Sequence, residues 1–152
     1  MADFTNKVVA GELAMSGQED SARTAHNAGA IAIKPGCFVA AADGVSDNNL
    51  ERRGVTLPVS ATSIIIGACK KWFLKDEHPQ KDQVAYFFRG VIGVPVAAAV
   101  KAQDPVFAIF TPGPTHGHAT NVAGANAAPV PGARFLSTIG AGEVAIVSLN
   151  LP

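Results

Sequence analysis

The stretch from Val84 to Val100 most constrains the fold, because apolar residues occupy almost every even-numbered position in it. The odd-numbered positions include Arg89, Gly93 and Pro95. A period of two is typical of a β-strand with one buried face. Because strands usually run for about 5–6 residues, we expect a break near Gly90 or Gly93.

Shorter apolar runs separated by turn residues fill most of the remaining chain. The 152 residues include 15 Gly and 10 Pro. At the usual combined share of about 12%, a chain of this length would have only about 18 of them. We expect further strands at 37–39, 55–57, 63–66 and 105–111, and a C-terminal hairpin formed by 133–137 and 143–151. Residues 70–81 are predicted to be an exposed charged loop or short helix with one buried aromatic residue, and 112–132 a long surface loop. This pattern predicts an all-β fold, either a β-sandwich or a barrel.

The first part of the chain differs from the rest in being polar and rich in small residues. Its apolar anchors are few and scattered: Phe4, Val8, Val9 and Leu13. A segment without a core of its own needs something to dock on. We therefore predict an extended N-terminal arm over residues 1–28 that docks on a partner, followed by one β-sandwich domain over residues 29–152.

The charge balance argues against two classes of partner. Twelve basic and twelve acidic residues give a formal net charge of zero, whereas nucleic-acid binders usually carry a basic patch and membrane-surface proteins a polybasic segment. Residues 83–152 contain only five charged side chains, so we expect this half to be buried in an assembly. We expect no signal peptide and no membrane span, and hence a soluble protein made in a cytoplasm.

Histidine and cysteine are the residues most worth weighing as metal ligands. His116 and His118 lie two apart in a stretch rich in Pro and Gly, and no third ligand is near them in sequence. We expect both to be ordinary loop residues that are dispensable for folding, and we expect no metal site. Cys37 and Cys69 fit no CxxC motif, and we expect two buried free thiols, with a disulfide between them as the alternative.

No arrangement of residues in the sequence is typical of an enzyme. A Gly-x-Ser-x-Gly elbow is absent, and Cys37 has no obvious base to activate it. The acids between residues 43 and 51 lack the spacing of a calcium loop. Gly140-Ala141-Gly142 precedes a strand rather than a helix, so it is a turn and not a phosphate cradle. We predict a protein that is not an enzyme and uses no cofactor.

Several segments resemble one family of viral structural proteins. They are PGARFLS at 131–137, GAG at 140–142, VAIVSLNLP at 144–152, AGEL at 10–13, RGVIGVPV at 89–96 and QDPV at 103–106. Together they resemble the capsid cement, or decoration, proteins of tailed bacteriophages. The resemblance implies a jelly-roll-like β-sandwich on the outside of an icosahedral head, where it bridges neighbouring major capsid proteins without catalysis or cofactor. Residues 66–82 lie outside the resemblance.

We therefore predict a structural cement protein of the virion, made in the cytoplasm of a bacterial host and placed on the outer capsid surface. Its predicted partners are the major capsid protein and further copies of itself, as a homodimer or homotrimer, with neither nucleic acid nor membrane. The predicted contacts with the capsid or a sister subunit are Phe4, Val8, Val9, Leu13, Phe135, Leu149 and Leu151. The alternative is a phage-associated β-sandwich module that contacts a host surface or carbohydrate, for which Trp72 and Tyr86 are the only Trp and Tyr.

Overall fold

The computed structural model describes residues 8–14, 21–42, 54–72, 74–124 and 126–151. These ranges contain nine strands and no helix: β1 (Ser21–His26), β2 (Phe38–Ala41), β3 (Val55–Thr56), β4 (Ile65–Cys69), β5 (Gln83–Pro95), β6 (Pro105–Ile109), β7 (Ala119–Thr120), β8 (Ala127–Phe135) and β9 (Val144–Asn150). Accordingly, no described segment is a helix that is long and apolar enough to cross a membrane. The predicted all-β class is confirmed.

The nine strands form one antiparallel sheet in the order β3-β2-β4-β5-β9-β8-β6-β7, and β1 pairs with β5 outside that path. The sheet curls into a half-barrel. A parallel bridge between Val96 and Ala119 returns β7 to the end of β5, and another between Asn27 and Val55 joins the end of β1 to β3. The long strand β5 is therefore shared by two curled halves. The finer jelly-roll topology stays a prediction.

Strands β2 and β4 are buried on both faces because a hydrophobic core lies on either side of them. Phe38 and Ala68 pack into the larger core together with residues of β5, β6, β8 and β9. Val39 and Cys69 point the other way, into a smaller core. Strands buried on both faces have continuous apolar sequences rather than alternating ones. This explains the uninterrupted apolar runs in this part of the sequence.

Strand β5 contains a bulge that moves its buried face from one core to the other. The register of β1 on β5 skips Phe88, which marks an irregularity at that position. Before the bulge, Tyr86 packs into the smaller core; after it, Ile92 and Val94 pack into the larger core. A bulge of this kind inserts one unpaired residue and re-aims the side chains that follow. The break expected near Gly90 or Gly93 is therefore wrong, because β5 stays paired with β9 from Arg89 through both glycines to its last residue, Pro95.

The loop predicted over 112–132 is wrong beyond residue 118, because β7 and the first part of β8 lie there. Strand β8 tolerates its prolines since they fall where it separates from β6. Phe107 pairs with Pro129, and the next pair joins Pro105 to Arg134, so the residues between Pro129 and Arg134 bulge away. Proline lacks the N–H that a continuous ladder needs and is accepted at bulges. The predicted strand β6 and the hairpin of β8 with β9 are confirmed.

The N-terminal residues that the structure describes dock on their own chain. Strand β1 lies along one edge of β5. Further along the same strand, the Gly11 N–H donates to the Gly93 carbonyl at 2.9 Å and the Ala14 N–H to the Val91 carbonyl at 2.8 Å. The expectation that this segment needs a partner to dock on is therefore wrong for these residues, because β5 itself supplies the edge they pair with. The boundary between arm and domain stays a prediction.

Candidate interface surface

Three of the predicted contact residues lie in the core of the chain itself. Phe135, Leu149 and Leu151 are 0%, 3% and 2% exposed and belong to the larger core. Phe135 and Leu149 alternate with exposed or half-buried neighbours along β8 and β9, and the inward-facing set fills the curled half of the sheet. These side chains stabilise the fold and are not available to a partner, which corrects their place in the interface.

The remaining predicted contacts belong to the N-terminal segment. Val8, Val9 and Leu13 are half-buried, and Leu13 packs against the larger core. Phe4 lies outside the described residues. The contribution of these residues to an interface stays a prediction, since part of their surface is already covered by β5.

Other large apolar side chains, none of them among the predicted capsid contacts, are exposed. They are Ile31, Val59, Trp72, Leu74, Val122 and Leu136. Trp72 is 42% exposed and Leu74 is 67% exposed, so the expectation of a buried aromatic residue in this loop is wrong for Trp72. The sequence does contain a signal for this exposure: Trp72 and Leu74 lie within the charged stretch 70–81, where apolar side chains are less often part of a core.

Trp72 is held in place by a network within the charged loop. Its ring stacks on the buried His78, with ring centroids 6.2 Å apart and planes 8° from parallel. Nδ1 of His78 lies 3.1 Å from Oδ2 of Asp82, and Nζ of Lys75 lies 2.9 Å from both oxygens of Asp82. His78 is tied to the rest of the fold by two backbone hydrogen bonds with Ile33. The exposed indole of Trp72 is therefore held against a buried histidine that is itself fixed to the fold.

Asp82 is the centre of that network, and its electrostatics follow from its partners. The hydrogen bond from Lys75 lowers the pKa of the Asp82 carboxyl below its usual value, and the His78 hydrogen bond lowers it further. The carboxylate is thus charged at neutral pH and accepts from both neighbours. We therefore expect the hydrogen bonds from Lys75 and His78 to persist at any pH at which the Asp82 carboxyl is ionised.

His116 has a structural role, which corrects the expectation that it is a dispensable loop residue. Its side chain is 6% exposed, and its Nε2 lies 2.6 Å from the carbonyl oxygen of Pro58. His118 is half-buried, and burial is the main cause that lowers its pKa. Within the described ranges, no group of three or more His, Cys, Asp or Glu side chains is placed to hold a metal ion.

The two cysteines are buried free thiols in the smaller core, as expected. They lie on neighbouring strand segments, where the Cys69 N–H donates to the Cys37 carbonyl at 2.8 Å. Burial raises the pKa of Cys37 to about 11 and that of Cys69 to about 12. Because the thiolate is the reactive form, neither thiol is activated as a nucleophile.

Comparison with known proteins assigns the chain to a family. The family model described as structural cement protein (E217 gp24/Pam3 gp6) matches residues 2–150. The chain belongs to this family of phage structural cement proteins. The membership implies a structural role in a phage capsid and association with capsid proteins. It confirms the family expected from the sequence.

A solved structure has the same fold. A chain in the structure titled "The capsid of Myoviridae Phage XM1" superposes with a TM-score of 0.74 at 22% sequence identity, and the match covers 99% of this chain and 94% of that one. No curated protein matches the sequence. This likeness shows the fold, and the structural role in a capsid rests on the family match.

Proposed function

We propose that this cement protein sits on the outer surface of an icosahedral phage head, where it bridges neighbouring major capsid protein subunits and stabilises the shell. The observation that carries the proposal is the extent of the family match, which runs over residues 2–150. Almost the whole chain therefore belongs to the cement module. We further propose that it is made in the host cytoplasm and acts on the shell as a homodimer or homotrimer.

The surface of the chain supports a contact role in a limited number of places. The low charge of residues 83–152 is explained in part by the larger core, which takes up many of their apolar side chains. Val122 and Leu136 remain exposed on that half, at 61% and 40%. Covering such exposed apolar surface with a partner would favour binding by roughly 25 cal/mol for each Å² that is removed from water.

The alternative of a carbohydrate-contacting module has less support. It depends on aromatic rings that are open to a sugar face, and Tyr86 is only 1% exposed. Of the two residues considered for that role, only Trp72 reaches the surface. We therefore retain the cement function.

The proposal is tested by adding the purified chain to undecorated shells of its own phage. Co-sedimentation measures binding, and cryo-electron microscopy of the same particles locates the added density. We expect saturable binding, with density outside the shell that touches at least two major capsid subunits. Shells of an unrelated phage serve as the control and should stay bare. Absence of binding would contradict the function, and density confined to single subunits would contradict bridging.

A further inference from the structure

A groove of about 220 Å³ opens where four connections between strands meet. The connections are those from β1 to β2, from β3 to β4, from β4 to β5 and from β6 to β7. The residues of the lining that matter here are Ile31, Lys34, Leu57, Glu77, Pro114 and His116. The groove has no role in the interface predicted from the sequence, because only the fold brings these segments together.

Hydrogen bonds hold the connections around the groove in place. The Ile33 N–H donates to the His78 carbonyl at 2.9 Å, and the His78 N–H donates to the Ile33 carbonyl at 2.8 Å. Two other connections are joined where Nε2 of His116 lies 2.6 Å from the carbonyl oxygen of Pro58. A surface fixed in this way loses little conformational entropy when a partner binds to it.

Val59 lies beside the groove on an equally ordered loop. It directly follows Pro58, the residue bound to the lining histidine, and the N–H groups of Val59 and Ser60 both donate to Oγ of Ser63 at 3.0 Å. The side chain of Val59 is 72% exposed, more than any other large apolar side chain in the described part of the chain, and Ile31 in the groove is 47% exposed. Apolar side chains that an ordered surface holds out into water favour contact with a protein partner.

The polar part of the groove carries one charge of each sign. Lys34 and Glu77 are both exposed, and neither forms an ion pair with another described residue. A strongly acidic or strongly basic partner would therefore meet a like charge here. A two-fold axis through the groove instead places Lys34 of one copy opposite Glu77 of the other, and symmetry repeats the contact. The charges of the groove are thus complementary to those of a second copy of the same groove.

We infer that this groove is the contact between two copies of the chain, which pair about a two-fold axis. In the dimer, Val59 and Ile31 of each copy are covered by the other copy, and Lys34 pairs with Glu77 across the axis. Apolar groups surrounded by paired polar groups are the usual composition of a protein interface. The inference rests on the proposed function, since it selects the homodimer from the two oligomers proposed there and names its contact surface.

Charge reversal tests the pairing across the axis. Sedimentation equilibrium measures the Kd of the dimer for the wild type, Lys34→Glu, Glu77→Lys and the variant that carries both substitutions. Each single reversal should raise the Kd by about tenfold or more, because it creates two like-charge contacts in a symmetric interface. The double variant should dimerise as the wild type does, because its reversed charges pair again. Failure of the double variant to recover the affinity would overturn the inference.

Val59→Asp tests the apolar contact, and Val122→Asp is its matched control. Val122 is also an exposed valine, at 61%, but it follows Asn121, which donates to Asp104 at the end of β6 that is remote from the groove. Val59→Asp should raise the Kd of the dimer by about tenfold or more, and Val122→Asp should leave it unchanged. Circular dichroism should show both variants to be folded, because both side chains project into water. Equal effects of the two substitutions would contradict the proposed surface.

The state of the wild type decides the matter independently of any variant. A wild type that is monomeric at concentrations up to about 1 mM, or that forms a trimer, would overturn the inference. Co-sedimentation of the same samples with undecorated shells separates this failure from that of the proposed function. A monomer or trimer that still binds shells would overturn the dimer and leave the cement function standing, whereas a dimer that binds no shell would support the dimer and contradict the cement function.

Discussion

Gly11 links β5 to the segment that follows β4, and replacing it with alanine should destabilise the protein strongly. Its N–H donates to the Gly93 carbonyl of β5, and its carbonyl accepts from the N–H of Lys71 just after β4, both at 2.9 Å. Gly11 has a φ of +77°, and a Cβ placed there would lie 2.7 Å from the nitrogen of Lys71 and 2.8 Å from the oxygen of Cys69. Both contacts are with backbone, which cannot rotate away.

The expected loss has two parts. Placing an L-residue in the left-handed region costs about 1–2 kcal/mol. Relief of the close contacts moves the segment and breaks the two hydrogen bonds of Gly11, each of which contributes about 0.5–1.5 kcal/mol. We therefore expect Gly11→Ala to lower the free energy of unfolding by about 2–5 kcal/mol.

Gly142→Ala is the matched control. Gly142 has nearly the same φ, +81°, but apart from its two chain neighbours no described residue has a heavy atom within 4 Å of the added Cβ. It should cost only the conformational part, about 1–2 kcal/mol. Urea denaturation followed by circular dichroism measures both variants. Equal losses in the two variants would refute the reasoning, since they would show that the contacts of Gly11 with Lys71 and Cys69 contribute nothing.

Three further predictions concern buried and paired groups. His116→Ala should lower the free energy of unfolding by about 1–3 kcal/mol, measured in urea, because a buried carbonyl loses its donor; a neutral substitution would contradict this. Iodoacetamide at pH 8 should modify Cys37 and Cys69 only after unfolding, and stability should fall as the pH rises from about 9 towards 11–12, because burial raises both pKa values; rapid labelling of the folded chain would argue against it. Asp82→Asn should loosen Trp72 and increase the quenching of its fluorescence by acrylamide. The wild type should show the same change only as the pH falls below 3.8, because Lys75 lowers the pKa of Asp82. Equal quenching of the variant and the wild type at neutral pH would count against the network.

The sequence was sufficient for the fold class because the strongest pattern, the period of two in β5, is local. It could not locate the bulge at Phe88, since Val84 and Val94 both look like one buried face and only the tertiary fold assigns them to different cores. The strand β8 was missed for a related reason. Its prolines are typical of a loop, and they are tolerated only because β8 leaves β6 at Pro129.

Contact residues were harder to predict than strands. Phe135 and Leu149 are apolar and stand in recognisable motifs, but the same properties suit a core, where the structure places them. The charged loop was expected to bury one aromatic residue, and Trp72 is not buried. His78, six residues later, is the buried ring of the stacked pair, and Trp72 is the exposed one. Such a division of roles cannot be read from composition or periodicity.

The central claim, that this chain stabilises a capsid by bridging its subunits, is tested most directly by calorimetry of whole shells. Undecorated shells are melted with and without a saturating amount of the purified protein, and occupancy is measured on the same samples. The account predicts that the melting temperature of the shell rises with occupancy and is highest at saturation. An unchanged melting temperature at full occupancy would contradict it.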